Sequence, residues 1–185
     1  MNKLNVTINN SVVEIDYGTT LEQISKNYQS NYKYEIIVAK VDGIYKELTD
    51  TITKECTIEF FDLTNRGANQ VYLNGLVYLM ITSFKMLFGR NSNLKVNHSL
   101  DKGLYIVPTI KLTEQDLVEL NNKMKELVEK NIPITRVTVS RLEAMEYFKN
   151  IGDITKSEIM KYITSTHLTL YKLENEYNYF YSLMP

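Results

Sequence analysis

The 185 residues carry 21 Lys and Arg against 22 Asp and Glu, a net charge of −1, with 44% hydrophobic and 23% charged residues. That is the balance of a soluble globular chain, one ordinary domain or two small ones, and it argues against strong nucleic-acid or membrane-surface binding without excluding a local basic face. The single Cys56 rules out an internal disulfide and fits a reducing cytoplasm, and only His98 and His167 are available for imidazole chemistry.

Residues 1–62 read as a β-rich unit. Leu4, Val6 and Ile8 alternate with polar residues, Asn9-Asn10 signals a tight turn, and Val13 and Ile15 resume the alternation. Thr19-Thr20-Leu21-Glu22 reads as a capping box on Thr19 and Glu22, opening a helix whose apolar face is Leu21, Ile24 and Tyr28. Glu35 to Val41 is β-prone, Asp42-Gly43 is a hairpin turn, Leu48 to Ile52 is a connector, and Thr57 to Phe61 is a closing strand. One helix on a mixed sheet in this order is a β-grasp arrangement. Cys56 reads as a small strand-edge hydrophobe rather than a reactive thiol.

After Asp62–Asn69 the apolar period lengthens. A helix is expected over Gln70–Phe88, stopped by Gly89. Its stretch from Val71 is about as long as a membrane span, but Asn74, Gly75, Thr82, Ser83 and Lys85 interrupt it, so it reads as a buried helix. No h-region of a signal peptide is visible near the start, and a cytoplasmic protein without membrane contact is expected. Leu94 to Val107 reads as a hairpin turning at Asp101-Lys102-Gly103, with His98 in a surface loop before the turn. Thr113 and Asp116 cap a second helix with apolar positions at Leu117, Leu120, Met124, Leu127 and Val128. Its lysines 123, 125 and 130, interleaved with Glu126 and Glu129, read as a salt-paired solvated face. Ile134–Val139 is a strand, and Ser140 and Glu143 cap a helix through Phe148. Gly152 is a break, Lys156–Tyr162 a short helix, and His167–Leu173 and Tyr177–Tyr181 are strands. The second unit, residues 63–185, is thus α+β.

These segments, in this order, resemble the N-terminal half of threonyl-tRNA synthetases. Tyr17-Gly-Thr-Thr-Leu21, Ala39-Lys-Val-Asp-Gly43 and Leu48-Thr-Asp-Thr-Ile52 look like a TGS domain, the β-grasp module of those enzymes. Leu87-Phe-Gly89, Asp101-Lys-Gly-Leu-Tyr105, Leu112-Thr-Glu-Gln-Asp116, Glu129-Lys-Asn-Ile-Pro133, Val139-Ser-Arg-Leu-Glu-Ala144 and Leu170-Tyr-Lys172 look like the second additional domain, the editing domain of threonyl and alanyl synthetases. That resemblance implies a hydrolytic site built from an HxxxH pair on the long helix and a CxxxH pair near the C-terminus.

The constellation does not carry over. The helix histidines fall on Asn74 and Tyr78, the acidic position on Asn178, the cysteine on Phe180 and the last histidine on Met184; only the pocket lysine, at Lys156, is retained. Lys156 is first read as a solvated helix residue, with a surviving site role as the alternative. Without the imidazoles and the thiolate, no catalytic residue, zinc site or cofactor is expected. The tyrosines at 72, 78, 105, 147, 162, 171, 177, 179 and 181 admit two readings, a core with hydroxyls at its edge or a stacking platform for bases.

Tyr177-Asn-Tyr-Phe-Tyr-Ser-Leu-Met-Pro185 is similar to the aromatic end of this region in bacterial proteins related to uridine kinase and phosphoribulokinase, which carry the same two units ahead of a P-loop kinase domain. No G-x-x-x-x-G-K-[ST] stretch occurs in the chain. The resemblance implies an N-terminal fragment of such a nucleoside kinase, its editing-like domain truncated at the C-terminal end. It would act as a non-catalytic accessory region whose partner is the missing kinase domain, with weak binding of RNA or a small ligand. The alternative is a synthetase-related module that hydrolyses mischarged tRNA; a structural module of an oligomer is the third reading.

Overall fold

The alternation of Lys3–Asp16 forms a hairpin, β1 (Lys3–Ile8) with β2 (Ser11–Asp16), and the turn places Asn9 and Asn10 at φ 50° and 63°, a left-handed conformation that asparagine tolerates. The computed structural model describes residues 3–100 and 103–185, the side chains of 98–100 excepted. It divides into two compact units, one running through Leu76 and taking in Tyr181–Pro185, the other Val77–Phe180.

In the first unit, β3 (Ile36–Val41), β4 (Ile44–Glu47) and β5 (Thr57–Asp62) join the hairpin in a five-stranded sheet of order β2-β1-β5-β3-β4. β1 and β5 are parallel and the other neighbours antiparallel, so the sheet is mixed. One short helix, α1 (Leu21–Ser25), is followed by a 3-10 turn at Gln29–Asn31. Val6, Ile8, Leu21, Ile24, Ala39, Ile58 and Phe60 form the core, with Tyr28 and Cys56 packed at its edge. Each large side chain buried there contributes roughly 1.5–3 kcal/mol of transfer free energy.

The capping box lies one residue beyond its expected place. Thr20 Oγ1 accepts from the Gln23 amide and Gln23 Oε1 from the Thr20 amide, at 3.2 and 3.1 Å, while the Thr19 hydroxyl donates to the Asp16 carbonyl. Two adjacent threonines followed by Glu and Gln offer both registers, and the bridge pairing Thr20 with Thr51 selects the second.

The long helix, α2 (Arg66–Phe88), starts four residues before Gln70 because Asn65 caps it: Asn65 Oδ1 accepts from the Gly67 and Ala68 amides at 2.8 and 3.2 Å. Gly67 is needed there, since a Cβ would collide with the Tyr45 ring and hydroxyl. Gly89, at φ 93°, ends the helix and returns its amide to the Lys85 carbonyl. By length and composition alone α2 could cross a membrane; 39% of its most apolar window is buried within the protein.

The second unit contains the end of α2, a two-stranded hairpin of β6 (Leu94–Leu100) and β7 (Gly103–Pro108), α3 (Glu114–Glu129), β8 (Thr135–Ser140), α4 (Arg141–Asn150), α5 (Ile154–Met160), β9 (His167–Leu173) and β10 (Glu176–Asn178). β8, β9 and β10 form an antiparallel sheet with β9 central. Ala144, Phe148, Ile151 and Met160 of the α4–α5 segment pack with Leu168 and Leu170 of β9. The boxes at Thr113/Asp116 and Ser140/Glu143 form as the sequence reads.

Several elements differ from expectation. Of the five apolar positions of α3, Leu120 and Leu127 are buried, whereas Leu117 and Val128 are exposed. α5 begins at Ile154 because Asp153 accepts the Lys156 amide. β10 stops at Asn178, whose Oδ1 takes the Tyr179 amide at 2.9 Å, so Tyr179–Tyr181 leave the ladder and Phe180 is not on a strand. His98 lies in β6, its backbone opposite Tyr105, rather than in a loop; Asp101 and Lys102 of the turn lie outside the described residues.

Candidate functional site

The six positions that the resemblance assigns to a hydrolytic site are distributed over both units. Asn74 and Met184 belong to the first unit. Asn74 Nδ2 donates to Ser182 Oγ at 2.8 Å and to the Leu183 carbonyl at 3.1 Å, and its Oδ1 accepts from Gln70. The amide side chain thus fastens the segment Ser182–Leu183 to the helix, with both its donor and its acceptor in use. Met184 is 1% exposed, and its backbone amide donates to Glu47 Oε1 at 2.9 Å.

Tyr78, Lys156, Asn178 and Phe180 belong to the second unit. The Tyr78 ring is 1% exposed, and its hydroxyl lies 2.7 Å from the Tyr171 carbonyl and 2.8 Å from the Glu176 carbonyl. Those two carbonyls stand on β9 and β10, so the phenol bridges both strands from the helix. Burial drives its pKa far above that of a free tyrosine, which keeps the hydroxyl protonated and a donor. Phe180 packs on Tyr78 with ring centroids 5.3 Å apart, and Tyr171 meets Phe180 edge-on at 6.3 Å. Asn178 is buried and bonded to the backbone as described. Lys156 is half-buried: its ammonium pairs with Asp153 at 3.1 Å and lies 5.7 Å from the centre of the Phe148 ring.

The structure therefore brings Tyr78 and Phe180 together as packed rings, while Lys156 and Asn178 make separate local contacts. Asn74, Asn178, Phe180 and Met184 carry no side chain that titrates, and burial keeps the Tyr78 hydroxyl protonated. Among the described residues, no three His, Cys, Asp or Glu side chains are grouped to hold a metal ion. Nor do the tyrosines make one platform: Tyr78 and Tyr171 are buried, Tyr147 and Tyr177 meet edge to face, and Tyr162 and Tyr181 are more than 80% exposed.

A second cluster escaped the sequence reading. Glu176, on β10, is buried; its Oε1 accepts from Arg90 Nε at 2.9 Å and its Oε2 from the Tyr147 hydroxyl at 3.3 Å. The Tyr147 oxygen in turn accepts the Tyr177 amide at 2.9 Å, and burial pushes the phenol up to about 12. The Lys85 ammonium, its side chain 3% exposed, approaches Glu176 only to 4.0 Å, and burial pushes its pKa down. The signal was present: Lys85 follows Tyr78 by seven residues and so falls on the same, buried face of α2.

No protein-family model matches this chain. It is similar to the threonine–tRNA ligase of Exiguobacterium sp. (29% identical over 166 residues, 87% of this chain and 26% of the relative). It is also similar to those of Oceanobacillus iheyensis (30% over 158 residues, 84% and 24%) and Finegoldia magna (27% over 166 residues, 88% and 26%). The chain thus spans about a quarter of the length of the curated relatives it matches. The chain is thus similar to a region of threonine–tRNA ligases, and its own fold is mixed α+β.

Proposed function

We propose that this chain is a synthetase-related module, a TGS-like β-grasp unit followed by an editing-like unit, that no longer hydrolyses aminoacyl esters and serves to bind or position a partner. The observation that carries the proposal is Tyr78, a buried phenol held by two backbone carbonyls at a position where the resemblance calls for an imidazole. A protonated, desolvated phenol is a hydrogen-bond donor, not a general base at neutral pH. On this reading the chain uses no cofactor or metal, works in the cytoplasm, and binds RNA weakly at physiological salt because few phosphates would be neutralised.

The second reading is a module that still clears mischarged tRNA through rearranged groups; it is favoured by the relatives, which are threonine–tRNA ligases. The attachment to a nucleoside kinase rests on the aromatic segment Tyr177–Pro185 alone and receives no support from those relatives.

A deacylation assay separates the readings. With seryl- or threonyl-tRNA the unmodified chain should stay at the uncatalysed rate. Tyr78→His should rescue nothing and should lower stability by roughly 1–3 kcal/mol, because it disturbs a packed, hydrogen-bonded site. Robust turnover by the unmodified chain would establish the hydrolytic reading instead.

A further inference from the structure

The buried charged residues described in the second unit are Lys85 and Glu176, and they do not meet in a hydrogen bond. The more exposed Arg90 and Lys156 and the carboxylate of Asp153 also act on Lys85. Each carboxylate already has a close cationic partner: Arg90 stands 2.9 Å from Glu176, and Lys156 stands 3.1 Å from Asp153. Lys85 is the least exposed of the three cations, at 4.0 Å from Glu176, too far for a direct hydrogen bond. A buried ammonium carries three donors, and leaving them unmatched is costly.

Lys85 borders a cavity of about 310 Å3, lined also by Met86, Gly89, Arg90, Glu174, Asn175 and Glu176. Arg90 stands at its mouth, its side chain 60% exposed, and only its Nε is taken by Glu176, so the terminal nitrogens of the guanidinium remain as donors. The carboxylates of Glu174 and Glu176 line it together with the two cations, and Glu174 also acts on Lys130. Gly89, in its left-handed conformation, has open space where a side chain would project.

We infer that this cavity is a binding site for a phosphate group of a small molecule, held between the Lys85 ammonium and the free edge of the Arg90 guanidinium. An oxyanion there supplies acceptors to the Lys85 ammonium, which stands beyond hydrogen-bond distance of Glu176. Phosphate suits the site better than a carboxylate, because it offers more acceptor oxygens to two donor-only cations. The inference does not depend on whether the chain hydrolyses esters, since it uses neither Tyr78 nor Phe180.

The test is calorimetric titration of the 185-residue chain with inorganic phosphate, with adenosine monophosphate and with acetate, each at fixed ionic strength. Saturable one-to-one binding of inorganic phosphate is expected, weakened at least about tenfold in Lys85→Met and in Arg90→Gln. Stronger binding of the nucleotide than of phosphate identifies a phosphomonoester as the ligand; equal binding identifies the free ion. Absence of saturable phosphate binding overturns the inference, as does acetate binding as tightly as phosphate. If Lys85→Met does not fold, the exposed Arg90→Gln decides, and undiminished affinity there also overturns it.

Discussion

In the first unit the buried carboxylates accept hydrogen bonds from backbone amides, whereas in the second the buried charges face one another. Glu47 accepts the Met184 amide at 2.9 Å, and Asp62 accepts the amides of Tyr34 and Thr64 at 3.0 and 2.9 Å. Glu176 instead meets Arg90, Tyr147 and, at longer range, Lys85. A carboxylate that serves an amide fixes the path of a chain. Charges gathered beside a cavity hold interaction energy that packing does not require. The second unit also buries the Thr82 and Ser83 hydroxyls without hydrogen-bond partners among the described residues. The buried carboxylates of the first unit thus fix its backbone, whereas that of the second meets other side chains.

The largest effect expected from this contrast comes from neutralising one carboxylate in each unit. Glu176→Gln leaves Lys85 and Arg90 without their counter-charge and should cost roughly 2–4 kcal/mol, toward the lower part of the range for a broken buried pair because Arg90 reaches solvent. Glu47→Gln keeps an oxygen able to accept the Met184 amide and should cost less than about 1 kcal/mol. Urea denaturation of both variants at neutral pH measures the difference. Equal losses would erase the distinction between the units.

A smaller effect appears at alkaline pH. Burial raises the pKa of Tyr78 and Tyr147, the latter from 10.0 to about 12. Such a group stabilises the fold fully below the unfolded value near 10, and the contribution is lost as pH rises toward the folded value, since the unfolded chain releases its proton first. For Tyr147 the loss is at most about 2–3 kcal/mol. Lys85, lowered by burial, runs the other way: the unfolded chain holds its proton up to about pH 10.5, so stability rises with pH before then. Unfolding midpoints at about pH 8, 10 and 11 should therefore fall in the last interval. Tyr147→Phe should flatten that fall, even if it lowers the midpoint throughout, and an unchanged slope would remove Tyr147 as its cause.

Local signals were legible because they act over a few residues. The alternation of Lys3–Asp16, the Asn9-Asn10 turn and the boxes at Thr113 and Ser140 need no knowledge of distant partners. The substitutions at Asn74, Tyr78, Phe180 and Met184 could be named from the resemblance, but the contacts that replace the chemistry could not. The two carbonyls that receive the Tyr78 hydroxyl lie more than 90 residues away. Lys85 was read as an interruption of an apolar stretch, because its meaning depends on Glu176, which only folding brings near. β10 was overextended for a similar reason: the aromatic run favours a strand, and the Asn178 side chain ends it by taking the next amide.

The smallest effect tests whether local helix starts differ between the units as the buried charges do. Thr20 in the first unit and Thr113 in the second both close reciprocal boxes, with Gln23 and Asp116 respectively. Replacing either by Ala removes the acceptor for one free amide and should cost about 1 kcal/mol. Thr19→Ala removes only a hydroxyl that donates to the Asp16 carbonyl at an exposed position, and should cost less than about 0.5 kcal/mol. Thermal melts of the three single variants decide the register of the first helix, because a cap at Thr19 would reverse the order of Thr19→Ala and Thr20→Ala. Equal losses for Thr20→Ala and Thr113→Ala would show that helix initiation is ordinary in both units. What separates the units would then be the Lys85–Glu176–Arg90 cluster and not the local chemistry of their helices.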